Sequence, residues 1–147
     1  MHAAQMAEEY PVIDMDSDAI DAARLLAEHR LPGILVVSAD GCPQAVLPAS
    51  QVVLFIVPKY VQDDPSLAGV LPETMCGQVV SRLLGKKVRD VIPERLSQIP
   101  AAKADDNIVE VAALMAKFKT PLVAVLDGKK LLGVITSSRL LEVALNN

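Results

Sequence analysis

Slid along itself by 88 residues, this 147-residue chain meets its own pattern. Ile20 falls on Ile108, Leu26 on Leu114, Val37 on Val125, Val46 on Val134 and Ser50 on Ser138. Identities are few. What repeats is the order of classes: helix, strand, Asp-Gly turn, strand, helix, twice over. A chain of this length suits one domain, or two small repeats sharing a core.

The first repeat is expected over residues 6–58. Val12 to Met15 reads as a short strand. Ser17 is the candidate N-cap of the next helix, with Asp18 and Asp21 in a first turn that favours carboxylates. Ile20, Ala23, Leu26 and Ala27 share one helical face, and Pro32-Gly33 ends that helix. Ile34 to Val37 is a buried strand, Asp40-Gly41 a turn and Ala45 to Leu47 a second strand. Pro48 breaks it, and Ser50 to Val57 reads as an apolar helix. The second repeat is expected over 88–147, opening on "VRDVIP". Ile99 begins a strand. Asp105 or Asp106 caps a helix with Ile108, Val111, Ala112, Met115 and Phe118 on one face. After Thr120-Pro121 come a strand at Leu122 to Leu126, an Asp127-Gly128 hairpin turn, a returning strand at Leu131 to Ile135 and a helix from Ser137 to Leu145. Residues 59–87 form a helical insert, with starts at Asp64-Pro65 and Pro72 and a stop at Gly85. The fold class is α/β (α+β), two small sheets flanked by helices.

Composition narrows the function. The chain is 52% hydrophobic but only 3% aromatic, without Trp, so the core is aliphatic. A net charge of −4 argues against a nucleic-acid binder. The longest apolar run, Val52 to Val57, is far too short to span a bilayer. Two cysteines without paired spacing fit a reducing, cytoplasmic setting. Charge is uneven: residues 1–74 carry −8 and residues 75–147 carry +4. That polarity weakly favours a head-to-tail homodimer.

The duplicated order, the "VRDVIP" lead-in, the apolar strand after "TP" and the stretch "GVITSSRLL" together resemble the CBS domain pair, or Bateman module. The resemblance covers nearly the whole chain outside the insert. It implies tandem repeats with pseudo-two-fold symmetry, two clefts between them, and regulation by adenosine-containing ligands. It also implies dimers formed through the helices. The regulated partner would be an enzyme or a transporter, and the module itself would carry no catalysis.

In the family pattern a Thr or Ser sits at the helix start near phosphate, and an Asp three residues on accepts from the ribose. A helix start suits an anion, and a carboxylate suits a diol. The second repeat matches at Gly133 and Thr136 but has Arg139 in place of the Asp. The first repeat has Ala45, Pro48 and Gln51 at the three positions. With Ser137, Ile99 and Pro121, the residues Gly133, Thr136, Arg139 and Gln51 make up the candidate ligand-binding set. Arg139 has two readings: it binds a phosphate or carboxylate beside Thr136, or it pairs with Glu142 or with a partner's acidic half. Two functions follow. One is a stand-alone regulatory module sensing a small anion, such as an adenine nucleotide. The other is a ligand-free interaction module. His2, His29, Cys42 and Cys76 have ordinary structural roles, as do the helix-capping carboxylates Asp16, Asp18 and Asp21; the basic run Lys86, Lys87 and Arg89 reads as solvated surface, with an anion-facing role as the alternative. No cofactor or metal is called for.

Overall fold

The computed structural model describes residues 1–70, 80–94 and 98–146. Two three-stranded sheets form. The first comprises β1 (Val12–Asp14), β2 (Gly33–Val37) and β3 (Pro43–Pro48); the second comprises β4 (Ala101–Lys103), β5 (Leu122–Asp127) and β6 (Lys130–Thr136). In each, the middle strand pairs parallel with the first and antiparallel with the third. Both middle strands are apolar on both faces because both faces are covered. Ile34 and Val36 point to the helices of their own sheet, as do Val123 and Val125 in the second. Leu35, Val37 and Val46 point instead to Leu122, Ala124 and Val134, and this aliphatic layer joins the two sheets.

The helices follow the repeat. Ala19–Glu28 buries Ala19, Ala22 and Leu26, and Ile108–Phe118 buries Val111 and Met115. Ala49–Ile56 and Ser137–Leu145 close the two repeats. Between them lie a short helix, Lys59–Asp63, and a 3-10 helix, Pro65–Val70, opened by Asp64, whose carboxylate accepts from the Ser66 N–H at 3.2 Å. Gly85 turns the chain at φ 76°. The expected start at Pro72 lies outside the described residues.

Several expectations shift by a residue or two. Asp18, not Ser17, is the N-cap of the first long helix. The Ser17 carbonyl accepts from Val88 N at 2.9 Å. Asn107, not Asp105 or Asp106, caps the equivalent helix, its side chain accepting from Glu110 N at 2.9 Å. The Asp106 carboxylate turns back to Lys103 N at 2.9 Å, which holds its pKa below the usual value. Ile99 does not begin a strand. Pro100 next to it has no N–H to give, the ladder begins at Ala101, and the Ile99 side chain packs on the layer between the sheets. The caps Asp18 and Asn107 also show that the repeat spacing is 89 through the first helix and first two strands. It becomes 88 only from β3 and β6 onward, because the first hairpin is one residue longer.

The lead-in helices are exchanged. Ala3–Met6 precedes the first repeat, yet Ala3 and Met6 are wholly buried in the core of the second. Val88–Val91 precedes the second repeat, yet Val88 and Val91 belong to the core of the first. The two crossings match bond for bond. Ala3 N donates to Asp106 O and Val88 N to Ser17 O, while Ala4 N donates to Ala104 O and Arg89 N to Met15 O, all at 2.8–3.0 Å. Gln5 and Asp90 each close the first turn by accepting from the backbone N–H of His2 and Lys87. Met6→Ala is expected to cost about 2–5 kcal/mol, as truncating a buried methionine does. Denaturant midpoints would show it, and a change under 1 kcal/mol would mean the crossing helix adds little.

Candidate functional site

The first cleft is built where β3 hands over to a helix. Pro48 ends the strand with neither a hydroxyl nor an N–H, so Ala49–Ile56 starts without a side-chain cap. Ala49 N is taken by Pro32 O at 3.0 Å. Across from this start, the helix Ile108–Phe118 ends on Lys119, held in the left-handed conformation at φ 49° and ψ 47°. Glycine is the usual residue there, because a side chain in that conformation is strained. The Thr120 hydroxyl donates to Leu122 O at 2.8 Å and fixes the corner. Together Pro32, Pro48, Ser50, Gln51 and the stretch from Phe118 to Pro121 enclose about 570 Å³. A side pocket of about 50 Å³ continues past Val46, Gln98 and Pro100. The volume lies in the range of small-molecule sites.

The second cleft keeps its polar groups to itself. Thr136 caps its own helix, its hydroxyl accepting from Arg139 N at 3.1 Å. The Ser137 N–H and hydroxyl both donate to Pro121 O, at 3.0 and 3.1 Å. The chain's own residues 6–10 run alongside. Glu8 and Val134 exchange both backbone hydrogen bonds at 2.9 Å. Gly133 permits this, since a Cβ there would lie 2.6 Å from Glu8 O and 3.2 Å from Ala7 Cβ. Tyr10 packs on the layer between the sheets, and its hydroxyl donates to Gly33 O at 2.7 Å.

Arg139 pairs with Glu142 at 2.5 Å, as one of its two readings anticipated. Its second contact was not anticipated. Nε donates to Met6 O at 3.2 Å, with the Glu8 carboxylate 3.9 Å away. Gln51, at the matching position of the first repeat, does the same: Nε2 donates to Val91 O at 3.1 Å and the residue is buried. Met6 and Val91 are the last residues of the exchanged helices. Both side chains at the family's Asp position therefore clasp the end of the helix crossing from the other repeat. An ionised Asp has no hydrogen to donate and could not make this bond. The signal in the sequence was that both replacements are donors.

Of the candidate set, Gln51 and Pro121 line the first cleft. Gly133, Thr136, Ser137 and Arg139 gather at the second, and Ile99 lies in the inter-sheet layer. Lys119, Ser50 and Pro32 were not singled out by sequence reasoning. Asp16 and Asp18 pair with Arg89 and Lys87, at 2.6 and 3.2 Å, on an exposed surface. His29 ends its helix as expected, and Cys76 lies outside the described residues. Among the described residues no group of His, Cys, Asp and Glu could hold a metal, and no helix is long and apolar enough to cross a membrane.

The family model of the CBS domain matches residues 3–57 and 88–146. The chain belongs to the CBS domain family. It is a CBS pair, two tandem repeats in one chain. Among solved structures it resembles a CBS domain-containing protein of unknown function from Kribbella flavida, with 53% identity, 99% of each chain covered and a TM-score of 0.85. It shares its fold with CBSX2 from Arabidopsis thaliana, at 17% identity, 99% and 94% coverage and a TM-score of 0.77. A second CBSX2 structure, in complex with AMP, matches at 19% identity, 99% and 96% coverage and a TM-score of 0.71. No curated protein is similar enough to match.

Burial holds the Tyr10 phenol above its ordinary pKa of 10.0. In a Tyr60→Phe background, its absorbance titration is expected to have a midpoint above that value. The sign follows: the folded state keeps the proton longer, so stability is intact below pH 10 and falls as pH rises through the raised pKa. A midpoint at or below 10 would place the ring in solvent. Gly133→Ala is expected to destabilise by about 1–3 kcal/mol, the range for an overpacked contact, and to loosen Glu8 from Val134 by amide exchange.

Proposed function

We propose that this CBS pair is a regulatory module that senses a small anionic ligand in its first cleft, with an adenine nucleotide as the ligand class. Lys119 carries the reading. A cation is kept in a strained left-handed conformation at the mouth of a cavity, where glycine would be easier on the fold. Facing it is a helix start with no side-chain cap, whose N–H groups favour an anion. Pro121, Phe118 and Pro48 supply apolar walls for a base. The CBSX2 complex with AMP supports the ligand class. Binding would act on an enzyme or transporter partner by favouring one arrangement of the module over another.

Thermal shift with AMP, ADP, ATP, S-adenosylmethionine and NAD tests this. A true ligand at one hundred times its dissociation constant is expected to stabilise by about 2.7 kcal/mol. No shift at millimolar levels with any of the five would sink the nucleotide reading. Lys119→Gly gives a sharper result, because its two effects oppose. The variant is expected to gain about 1 kcal/mol of stability by relieving the backbone, while binding the ligand at least ten-fold more weakly. Undiminished binding would remove Lys119 from the site.

A second reading, a ligand-free module that dimerises or docks through its helices, has its own support. Val53 and Leu54 are about half exposed beside a shallow apolar groove of about 210 Å³ lined by Ala23, Leu26, Ala27, Ala49, Val52 and Val53. Light scattering at micromolar concentration is expected to show a dimer, and a monomer would count against this face as a homodimer contact.

A further inference from the structure

The second cleft is spanned from inside the chain. Met6 O is held by Arg139 at the helix start, Glu8 is paired with Val134 along the edge of β6, and Tyr10 reaches between the sheets to Gly33 O. These three contacts follow each other along five residues, from one end of the cleft to the other. The Glu8 carboxylate lies 3.9 Å from the Arg139 guanidinium, beside a helix start whose hydroxyls are already used.

Among the described residues, the matching segment at the first cleft lacks the groups that make this span. Met6 corresponds to Val91, so Pro93 stands where Glu8 does and has no N–H to pair. Ala45 stands where Gly133 does, and its Cβ would meet the incoming backbone. Counting back from β1 and β4, Ile99 stands where Tyr10 does, on a segment four residues longer, and has no hydroxyl. Among the described residues the strand-edge pairing is found at one cleft, while the open volume of about 570 Å³ lies at the other.

The span is anchored firmly at its ends and weakly in its middle. Met6 and Ile13 are buried and Tyr10 is partly buried, while the Glu8 side chain between them is 58% exposed. Exposed ion pairs contribute about 0–1 kcal/mol, and a segment with few buried contacts opens below the global unfolding free energy. The geometry points to residues 7–10 being a strap that occupies the second cleft and lifts out of it without unfolding the module. A ligand that fits the vacated cleft drives the lift by its preference for the open form. The lifted state frees Arg139 from Glu8 and leaves Thr136, Ser137 and Arg139 facing the space that Tyr10 gave up.

Amide exchange on the full chain tests the strap without any ligand. The Glu8 and Val134 amides are expected to exchange at least ten-fold faster than those of Leu35 and Val123. Tyr10→Ala is expected to speed the first pair a further ten-fold and leave the second pair unchanged. Exchange of all four at one rate overturns the strap, because residues 7–10 would then leave only on unfolding. A second readout uses AMP as the probe and rests on the nucleotide reading above. Wild type is expected to take up one equivalent and Tyr10→Ala two. One equivalent in both, with the exchange result as expected, overturns occupancy of a ligand cleft by the strap. No uptake by wild type refutes the nucleotide reading instead, and the exchange rates then decide the strap alone.

Discussion

The helix Ala3–Met6 belongs by sequence to one repeat and by packing to the other, and Val88–Val91 does the reverse. The rest of the molecule depends on this exchange. A three-stranded sheet with two long helices does not fill its own core, and each repeat is completed by four residues borrowed from its copy. The exchange brings Ser17 to Val88 and Ala3 to Asp106, which sets where the long helices begin. It also places the ends of the borrowed helices, Met6 O and Val91 O, at the mouths of the two clefts. The cleft chemistry therefore follows from how the core is closed.

Against that near-symmetric frame, the two clefts differ through a few single residues. Gly133 opposite Ala45 decides whether a backbone can approach the edge strand. Glu8 opposite Pro93 decides whether it can pair there. Tyr10 opposite Ile99 decides whether the inter-sheet space holds a ring with a hydroxyl or an aliphatic side chain. Each difference acts in the same direction: the second cleft is spanned and its helix start self-capped, and the first is left open with an uncapped start. Duplicated folds commonly diverge at sites while the scaffold stays. Here the divergence is carried by backbone hydrogen-bonding capacity as much as by side-chain charge.

The repeat was legible because its signals are local. The continuous apolar runs Ile34 to Val37 and Leu122 to Val125, the Asp-Gly turns and the helical faces each need only neighbours in sequence. The shift in spacing from 89 to 88 was missed because two true matches at 88, Val46 with Val134 and Ser50 with Ser138, were joined by three chance coincidences, and the extra hairpin residue leaves no local mark. At the caps, the Asp106 carboxylate is taken by Lys103 N, and the carbonyls of Ser17 and Asp106 accept from the exchanged helices, a tertiary fact. The same holds at the clefts. Arg139 was read with Glu142 because the two are three residues apart, but its bond to Met6 O spans 133 residues. Lys119 was invisible as a site residue because a left-handed lysine cannot be told from an ordinary one by its letter.

The exchange also governs what happens if the chain is cut. A break within residues 59–87 yields two pieces, each carrying a key to the other's lock and an empty lock of its own. Neither piece can finish its core alone. Two complementary pieces can mend each other in a closed pair. Copies of a single piece hold no key for their own lock, so their cores stay open. The intact connection therefore keeps both keys in the same molecule and makes closure within one chain far more probable than linkage between chains.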